Sequence, residues 1–173
     1  TPVQEIIIEN KKAVGIRTDK GTERFDVIIS NMDVYNSYKK LMPAVKRPVK
    51  TLDQPKSSSG IIFYWGIKKE FKQLGLHNIF FADNYEEEFN TIISKKKIYH
   101  DPTIYVNITS KHTPDDAPPG CENWFAFINV PNNQGQDWDA FIAEARENMI
   151  QKCNRILKTD IRPLIESEMV FDP

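Results

Sequence analysis

The stretch Ser57-Ser-Ser-Gly-Ile-Ile-Phe-Tyr-Trp-Gly-Ile67 constrains the fold more than any other part of this chain. Side chains alternate across an extended backbone, so Ile61, Phe63, Trp65 and Ile67 share one side and Ile62 and Tyr64 share the other. A strand that is apolar on both sides is too apolar to be an ordinary half-wet strand. One side is expected to face the core. The other is expected to meet a second layer, a partner or an apolar ligand.

The segments before it read as short strands joined by tight turns. Val3 to Ile8 is a strand, Asn10-Lys-Lys12 a turn and Ala13 to Thr18 the return strand. Asp19-Lys-Gly21 is a second turn, with Gly21 free to take a positive φ, and Thr22 to Phe25 completes a three-stranded meander. Asp26-Val-Ile-Ile-Ser30 has the composition of a buried strand. It ends where Asn31 or Asp33 is placed to cap a helix from Val34 to Met42, and Pro43 stops that helix. Pro43, Pro48 and Pro55 among several lysines mark residues 43–56 as a crossover between domains.

Beyond the crossover, strands are expected at 57–68, 77–82, 104–109, 123–130 and 161–171. Asn84 is placed to cap a helix over 85–93, whose early Glu86, Glu87 and Glu88 suit the positive end of the helix dipole. Trp138, Phe141, Ile142, Ala145, Met149, Cys153 and Ile156 recur at helical spacing and predict a long helix over 138–157. Strands and helices alternate irregularly and several connections are rich in proline. The expected class is α+β, with a mostly antiparallel sheet packed with helices.

Several functions are disfavoured by composition. With 23 basic and 24 acidic residues the net charge is −1, which offers no basic surplus for nucleic acid. No apolar run approaches the roughly 18 residues of a membrane-spanning helix. Cys121 and Cys153 make no metal or redox spacing and read as unreactive residues in or near the core, in a reducing, cytoplasmic setting. His77, His100 and His112 are scattered and read as structural or solvated. Glu86-Glu-Glu88 reads as a solvated helix face and Lys95-Lys-Lys97 as a solvated helix end. No Gly-x-Gly-x-x-Gly, P-loop or Gly-x-Ser-x-Gly motif is present, and no residue presents itself by spacing as a catalytic acid or base. Thr1-Pro-Val enters a strand at once and Val170-Phe-Asp-Pro173 stops just after one, so both ends read as cut from a longer protein.

An ordered series of motifs carries a resemblance. It comprises Val14-Gly-Ile-Arg-Thr-Asp19, Val27-Ile-Ile-Ser-Asn-Met-Asp33, Ser57-Ser-Ser-Gly-Ile-Ile-Phe-Tyr-Trp-Gly66 and His77-Asn-Ile-Phe-Phe81. Asp101-Pro-Thr-Ile-Tyr-Val106, Ala117-Pro-Pro-Gly-Cys-Glu-Asn123 and Val130-Pro131 follow in order. Together they span most of the chain, and the Ala-Pro-Pro-Gly-Cys-Glu-Asn segment is the most distinctive. In these segments the chain resembles the phytoene desaturase family, FAD-dependent carotenoid dehydrogenases of the bacterial and fungal type.

The resemblance implies a middle piece of such an enzyme. Residues 1–34 would be the last strands of an FAD-binding Rossmann domain, 35–56 a helix and crossover, and 57–173 most of a substrate-binding domain. It implies FAD contacts from the backbone of Val3 and from Ser30 and Asn31. It implies a long apolar polyene as ligand, with Phe63, Tyr64, Trp65, Phe80, Trp124 and Phe127 as candidates for an apolar wall; ordinary sheet–helix core is the competing role for each. The full-length enzyme would be cytoplasmic, with a membrane surface as partner and peripheral attachment to the inner face as one arrangement. The alternatives are a retinol-saturase-like or amine-oxidase-like flavoprotein, or a non-catalytic domain that binds an apolar ligand or a protein.

Overall fold

The computed structural model describes residues 1–173, which divide into two compact units, Thr1–Pro55 and Lys56–Pro173. In the first, β1 (Val3–Glu9), β2 (Lys12–Thr18) and β3 (Gly21–Arg24) form an antiparallel meander. Asn10 and Lys11 join β1 to β2 with φ of 49° and 64°. Two successive left-handed residues match the twist of paired strands, which is why two-residue hairpin turns favour them. Gly15 allows β2 to lie close to β3, because a Cβ there would come within 2.5 Å of the Glu23 carbonyl oxygen. Arg24 reaches across the sheet to Glu9 with contacts of 2.9 and 2.6 Å, and Arg17 pairs with Glu5. Both pairs are exposed, so they fix little stability.

The next segment departs from the sequence expectation. Residues 26–30 form no strand, and Val27 and Ile29 are 75% and 88% exposed. An apolar Val-Ile-Ile run becomes a buried strand only where ladder partners and covering layers meet it, and neither does so here. The helix after it forms as expected. Asp33 Oδ1 accepts from the Asn36 amide at 3.2 Å, α1 (Val34–Asn36) runs into a π turn at Ser37–Leu41, and the helix stops before Pro43. A single short turn of helix, α2 (Val49–Leu52), lies within the proline-rich stretch.

The second unit is built on a five-stranded sheet of β4 (Ser59–Ile67), β5 (His77–Phe80), β6 (Ile104–Asn107), β7 (Glu122–Val130) and β8 (Ile165–Phe171). Its order is β5-β6-β7-β4-β8 and every neighbouring pair is antiparallel. The central pair, β4 with β7, runs in unbroken register from Ser59↔Val130 to Ile67↔Glu122. β8 starts later than the sequence suggests, because Arg162–Leu164 is a 3₁₀ turn. Pro163 supplies no ladder N–H at that point. The architecture is thus α+β.

One face of the sheet packs against α4 (Trp138–Leu157), whose first turn is capped by Asp137 Oδ1 accepting from the Ala140 amide at 3.1 Å. Ala145, Met149, Ile150, Cys153 and Leu157 form its buried stripe, and they join Ile61, Phe63, Trp65, Trp124, Ala126 and Ile128 in one continuous core. α3 (Tyr85–Asn90) is capped by Asn84 and continues as a π turn over Thr91–Lys95. Glu88 on α3 is fully buried, and contrary to the sequence expectation it is not part of a solvated face. Its carboxylate accepts from the Thr103 amide at 2.7 Å and from the Thr103 hydroxyl at 2.6 Å, tying α3 to the start of β6.

The two cysteines differ in chemistry. Burial pushes the Cys153 thiol up to about 12, while Cys121 is only partly buried. A thiolate-selective reagent at neutral pH is expected to label Cys121 in the folded protein and to reach Cys153 only in denaturant. Peptide mass mapping checks this, and equal labelling of both in native buffer would contradict the packing of α4.

Candidate functional site

The six wall candidates divide by the pleat of the sheet. Phe63, Trp65 and Trp124 lie on the face that packs against α4, at 0%, 1% and 1% exposure, and Phe80 packs partly buried against the same core. Trp65 Nε1 donates to Glu168 at 2.6 Å and Trp124 Nε1 to Glu122 at 2.7 Å, so each buried indole is satisfied within the unit. Phe63 has no surface to offer an open wall, Trp65 and Trp124 border the hollow described below with almost none, and Phe80 keeps only part of its surface. Tyr64 and Phe127 are on the opposite face, which no helix covers.

That face carries a row of rings crossing all five strands. Phe171 on β8 meets Tyr64 on β4 with centroids 5.7 Å apart, and Tyr64 meets Phe125 on β7 at 5.4 Å. Phe125 meets Tyr105 on β6 at 6.1 Å, and Tyr105 stacks on His77 of β5 at 6.1 Å. The three contacts among Phe171, Tyr64, Phe125 and Tyr105 are edge-to-face, the arrangement that the ring quadrupole favours. Phe127 lies beside the row, over Gly60 of β4. A Cβ at residue 60 would sit 2.2 Å from the Phe127 ring, so glycine is what lets that ring lie flat across the neighbouring strand. Tyr64, Ile79, Met169 and Phe171 are each about half exposed. Side chains of this size standing open together make an exposed apolar patch, the kind of surface that meets a ligand, a membrane or other polypeptide.

Part of this face opens into a hollow of about 890 Å³, within the usual range for small-molecule sites. Its apolar end is made by Tyr64, Phe125, Met169 and Phe171, and its polar end by Asn107 and Asn123. Asn123 is held by its neighbours: Oδ1 accepts from the Ser110 amide at 2.9 Å and Nδ2 donates to the Thr109 hydroxyl at 2.6 Å. Asp116, Pro118 and Cys121, from the loop before β7, form a further wall.

The first unit holds its own hollow, of about 520 Å³, lined mainly by Val3, Ile6, Ile16, Phe25 and Ile28. Val3 lies more than twenty-five positions before Ser30 and Asn31 in sequence, and all three border it. Ser37 Oγ donates to the Met32 carbonyl at 3.3 Å and lies 2.9 Å from Ser30 Oγ, which fixes the turn that carries Ser30 and Asn31.

Sequence reasoning named Tyr64 and Phe127 but passed over Phe125, Tyr105, His77 and Phe171. Phe125 was legible by parity, being two residues from Phe127. The other three come from separate strands, and only the sheet order brings them into line.

No protein-family model matches the chain. It is 49% identical over 171 residues to a 1-hydroxycarotenoid 3,4-desaturase of a Flavobacterium species, a match that covers 99% of this chain and 35% of that protein. It is 32% identical to a phytoene desaturase of Fusarium fujikuroi, over 100% of this chain and 35% of that one. It is likewise 32% identical to a 4,4'-diaponeurosporene oxygenase of Staphylococcus aureus, over 100% and 36%. Among solved structures, an oxidoreductase from Methanosarcina mazei superposes with a TM-score of 0.65 at 17% identity, covering 99% of this chain and 36% of that one. A protein from Pyrococcus furiosus superposes with a TM-score of 0.60 at 22% identity, and both support the fold alone. No helix is long and apolar enough to cross a membrane. The chain spans about a third of the length of the curated relatives it matches, and over that third it belongs with the carotenoid desaturases of the phytoene desaturase family.

Proposed function

We propose that this chain is the hydrocarbon-binding part of an FAD-dependent carotenoid desaturase, and that the helix-free face of its second sheet holds the polyene. The observation that carries this is the row Phe171–Tyr64–Phe125–Tyr105 beside an 890 Å³ hollow, in a chain related along its whole length to carotenoid desaturases. A polyene offers almost no hydrogen-bonding group, so its binding energy must come from buried apolar area at about 25 cal/mol per Å². An aromatic sheet face supplies that area, holds the chain by dispersion and keeps water from it. The higher identity to a desaturase acting on a hydroxylated carotenoid favours a substrate of that kind over phytoene itself.

The hollow of the first unit fits one end of the cofactor. Its apolar floor suits a flat ring, and Ser30 and Asn31 place small polar groups at its border. No Gly-x-Gly-x-x-Gly turn is present to cradle a pyrophosphate, so in this reading Val3, Ser30 and Asn31 complete a site whose phosphate contacts come from elsewhere in the protein. When bound, the flavin would supply the hydride acceptor that desaturation needs.

The test is to purify the protein that contains this chain, record its flavin absorption and incubate it with an acyclic carotenoid. Bound flavin, together with a shift of the polyene bands to longer wavelength as conjugation grows, is the expected result. A protein that takes up no flavin on reconstitution and leaves the polyene spectrum unchanged would contradict the proposal.

A further inference from the structure

The row of rings on the open sheet face does not end in another hydrocarbon group. Its last member is His77, and the three side chains at that end make one connected polar cluster. Asn107 Nδ2 donates to the Leu76 carbonyl at 3.1 Å, which fixes the orientation of the amide because a carbonyl oxygen only accepts. The same Nδ2 lies 3.2 Å from His77 Nδ1, and the Tyr105 hydroxyl lies 2.8 Å from it. Facing two donors, Nδ1 is the acceptor, and the ring proton sits on Nε2. Two groups are left without a hydrogen bond from the chain: His77 Nε2–H, a donor, and Asn107 Oδ1, an acceptor. Asn107 also lines the 890 Å³ hollow, at the end away from Met169 and Phe171.

Of the two, Asn107 Oδ1 borders the hollow, and an acceptor there matches a hydroxyl group, which can donate to it. It does not match an anion. No lysine or arginine lines the hollow, Asp116 does, and Glu166 and Glu168 line it with their charges paired to Lys68 and Arg146, so nothing there attracts a carboxylate or phosphate end group. A plain hydrocarbon end would leave the polar groups desolvated and unpaired, at a cost comparable to a lost hydrogen bond.

We infer that the Asn107–His77–Tyr105 cluster is a specificity device that reads a neutral oxygen, a hydroxyl, at one end of an otherwise apolar polyene. This rests on the open face being the polyene site, as proposed above. Asn107 Oδ1 contacts the oxygen, and His77 and Tyr105 are positioning residues: His77 Nδ1 takes the Asn107 amide N–H, and Tyr105 holds the imidazole in that tautomer.

The test compares two acyclic carotenoids of equal length, one with a terminal hydroxyl and one without, in the protein that contains this chain. Asn107→Leu is expected to lower kcat/KM for the hydroxylated substrate about tenfold, through KM, since one neutral hydrogen bond is worth about that much. The value for the plain hydrocarbon should hold or rise. Tyr105→Phe keeps the ring in the aromatic row and should shift the preference in the same direction by a smaller factor. A merely structural defect would lower both substrates together. An equal loss for both, or an unchanged preference in both variants, overturns the assignment while leaving the polyene site standing. Wild-type protein that converts neither substrate is a different failure, because it removes the functional proposal and this inference with it.

Discussion

Replacing Asp101 by asparagine is expected to lower the stability of the Lys56–Pro173 unit by about 3–5 kcal/mol, the usual cost of leaving a buried charge without its partner. Asp101 is the centre of a buried network. Oδ2 accepts from the Asp83 amide at 2.8 Å, and Oδ1 takes Arg155 Nη2 at 2.9 Å and Lys152 Nζ at 3.1 Å. The Lys152 side chain is itself buried, and its remaining contact is the Phe81 carbonyl at 2.8 Å. Asparagine keeps the shape but removes the charge, so the ammonium of Lys152 would stand in the core without a counter-ion. Arg155 is exposed and loses less. These bonds tie the exit of β5 to α4, so the edge strand that carries His77 and Ile79 depends on them.

The same network sets a pH dependence. Burial alone would raise the Asp101 carboxyl, but the Asp83 amide, Lys152 and Arg155 outweigh it and hold the group below the usual carboxylate range. A carboxylate whose folded value is depressed contributes stability that is fully present above the unfolded value of about 3.9. That stability is lost as pH falls through the lower folded value. Urea unfolding should therefore show a wide gap between wild type and Asp101→Asn near pH 7, narrowing below about pH 4. A gap that stays constant down to pH 2 would mean that the carboxylate charge is not what holds Lys152.

The second large effect is on function. Tyr64→Glu places a carboxylate in the middle of the aromatic row, on a side chain that is about half exposed. The fold should lose only about 1 kcal/mol, as for a surface position on a strand. Polyene conversion by the containing protein should fall about a hundredfold or more. Ring area worth roughly 2–3 kcal/mol is removed, and a charge must be desolvated against hydrocarbon. Phe63→Ala, one residue away on the other pleat, should behave oppositely. It opens a cavity under α4, costs about 3–5 kcal/mol of stability and leaves the exposed face in place. Turnover and melting measured on both variants check the pair. Equal loss of turnover at matched stability would mean that the two faces do not divide core from ligand.

That division was only half legible in the sequence. Alternation along Ile61–Ile67 separates Phe63 and Trp65 from Tyr64, and alternation along β7 separates Trp124 from Phe127. It does not say which face α4 covers. Both faces are aromatic, and the choice depends on how the chain crosses from β7 through α4 to β8. The bounds of the long helix were readable because its apolar residues recur at helical spacing over twenty residues, but the buried stripe runs through Ile150 and Leu157, and Ile156, expected in it, is exposed. Asp26–Ser30 misled for the opposite reason. A short Val-Ile-Ile run has the composition of a buried strand, but composition does not supply the neighbours that bury one. The polar end of the row was legible only in part, because alternation puts Tyr105 and Asn107 on one face of β6, while His77 joins them only through the β5–β6 register, His77↔Asn107.

A crystal structure of the containing protein soaked with an acyclic carotenoid tests the central claim most directly. The polyene should lie in van der Waals contact, within about 4 Å, of Tyr64, Phe125 and Phe171. A polyene bound away from the Lys56–Pro173 sheet, or polypeptide packed over that row of rings, would contradict the assignment of this face to the substrate.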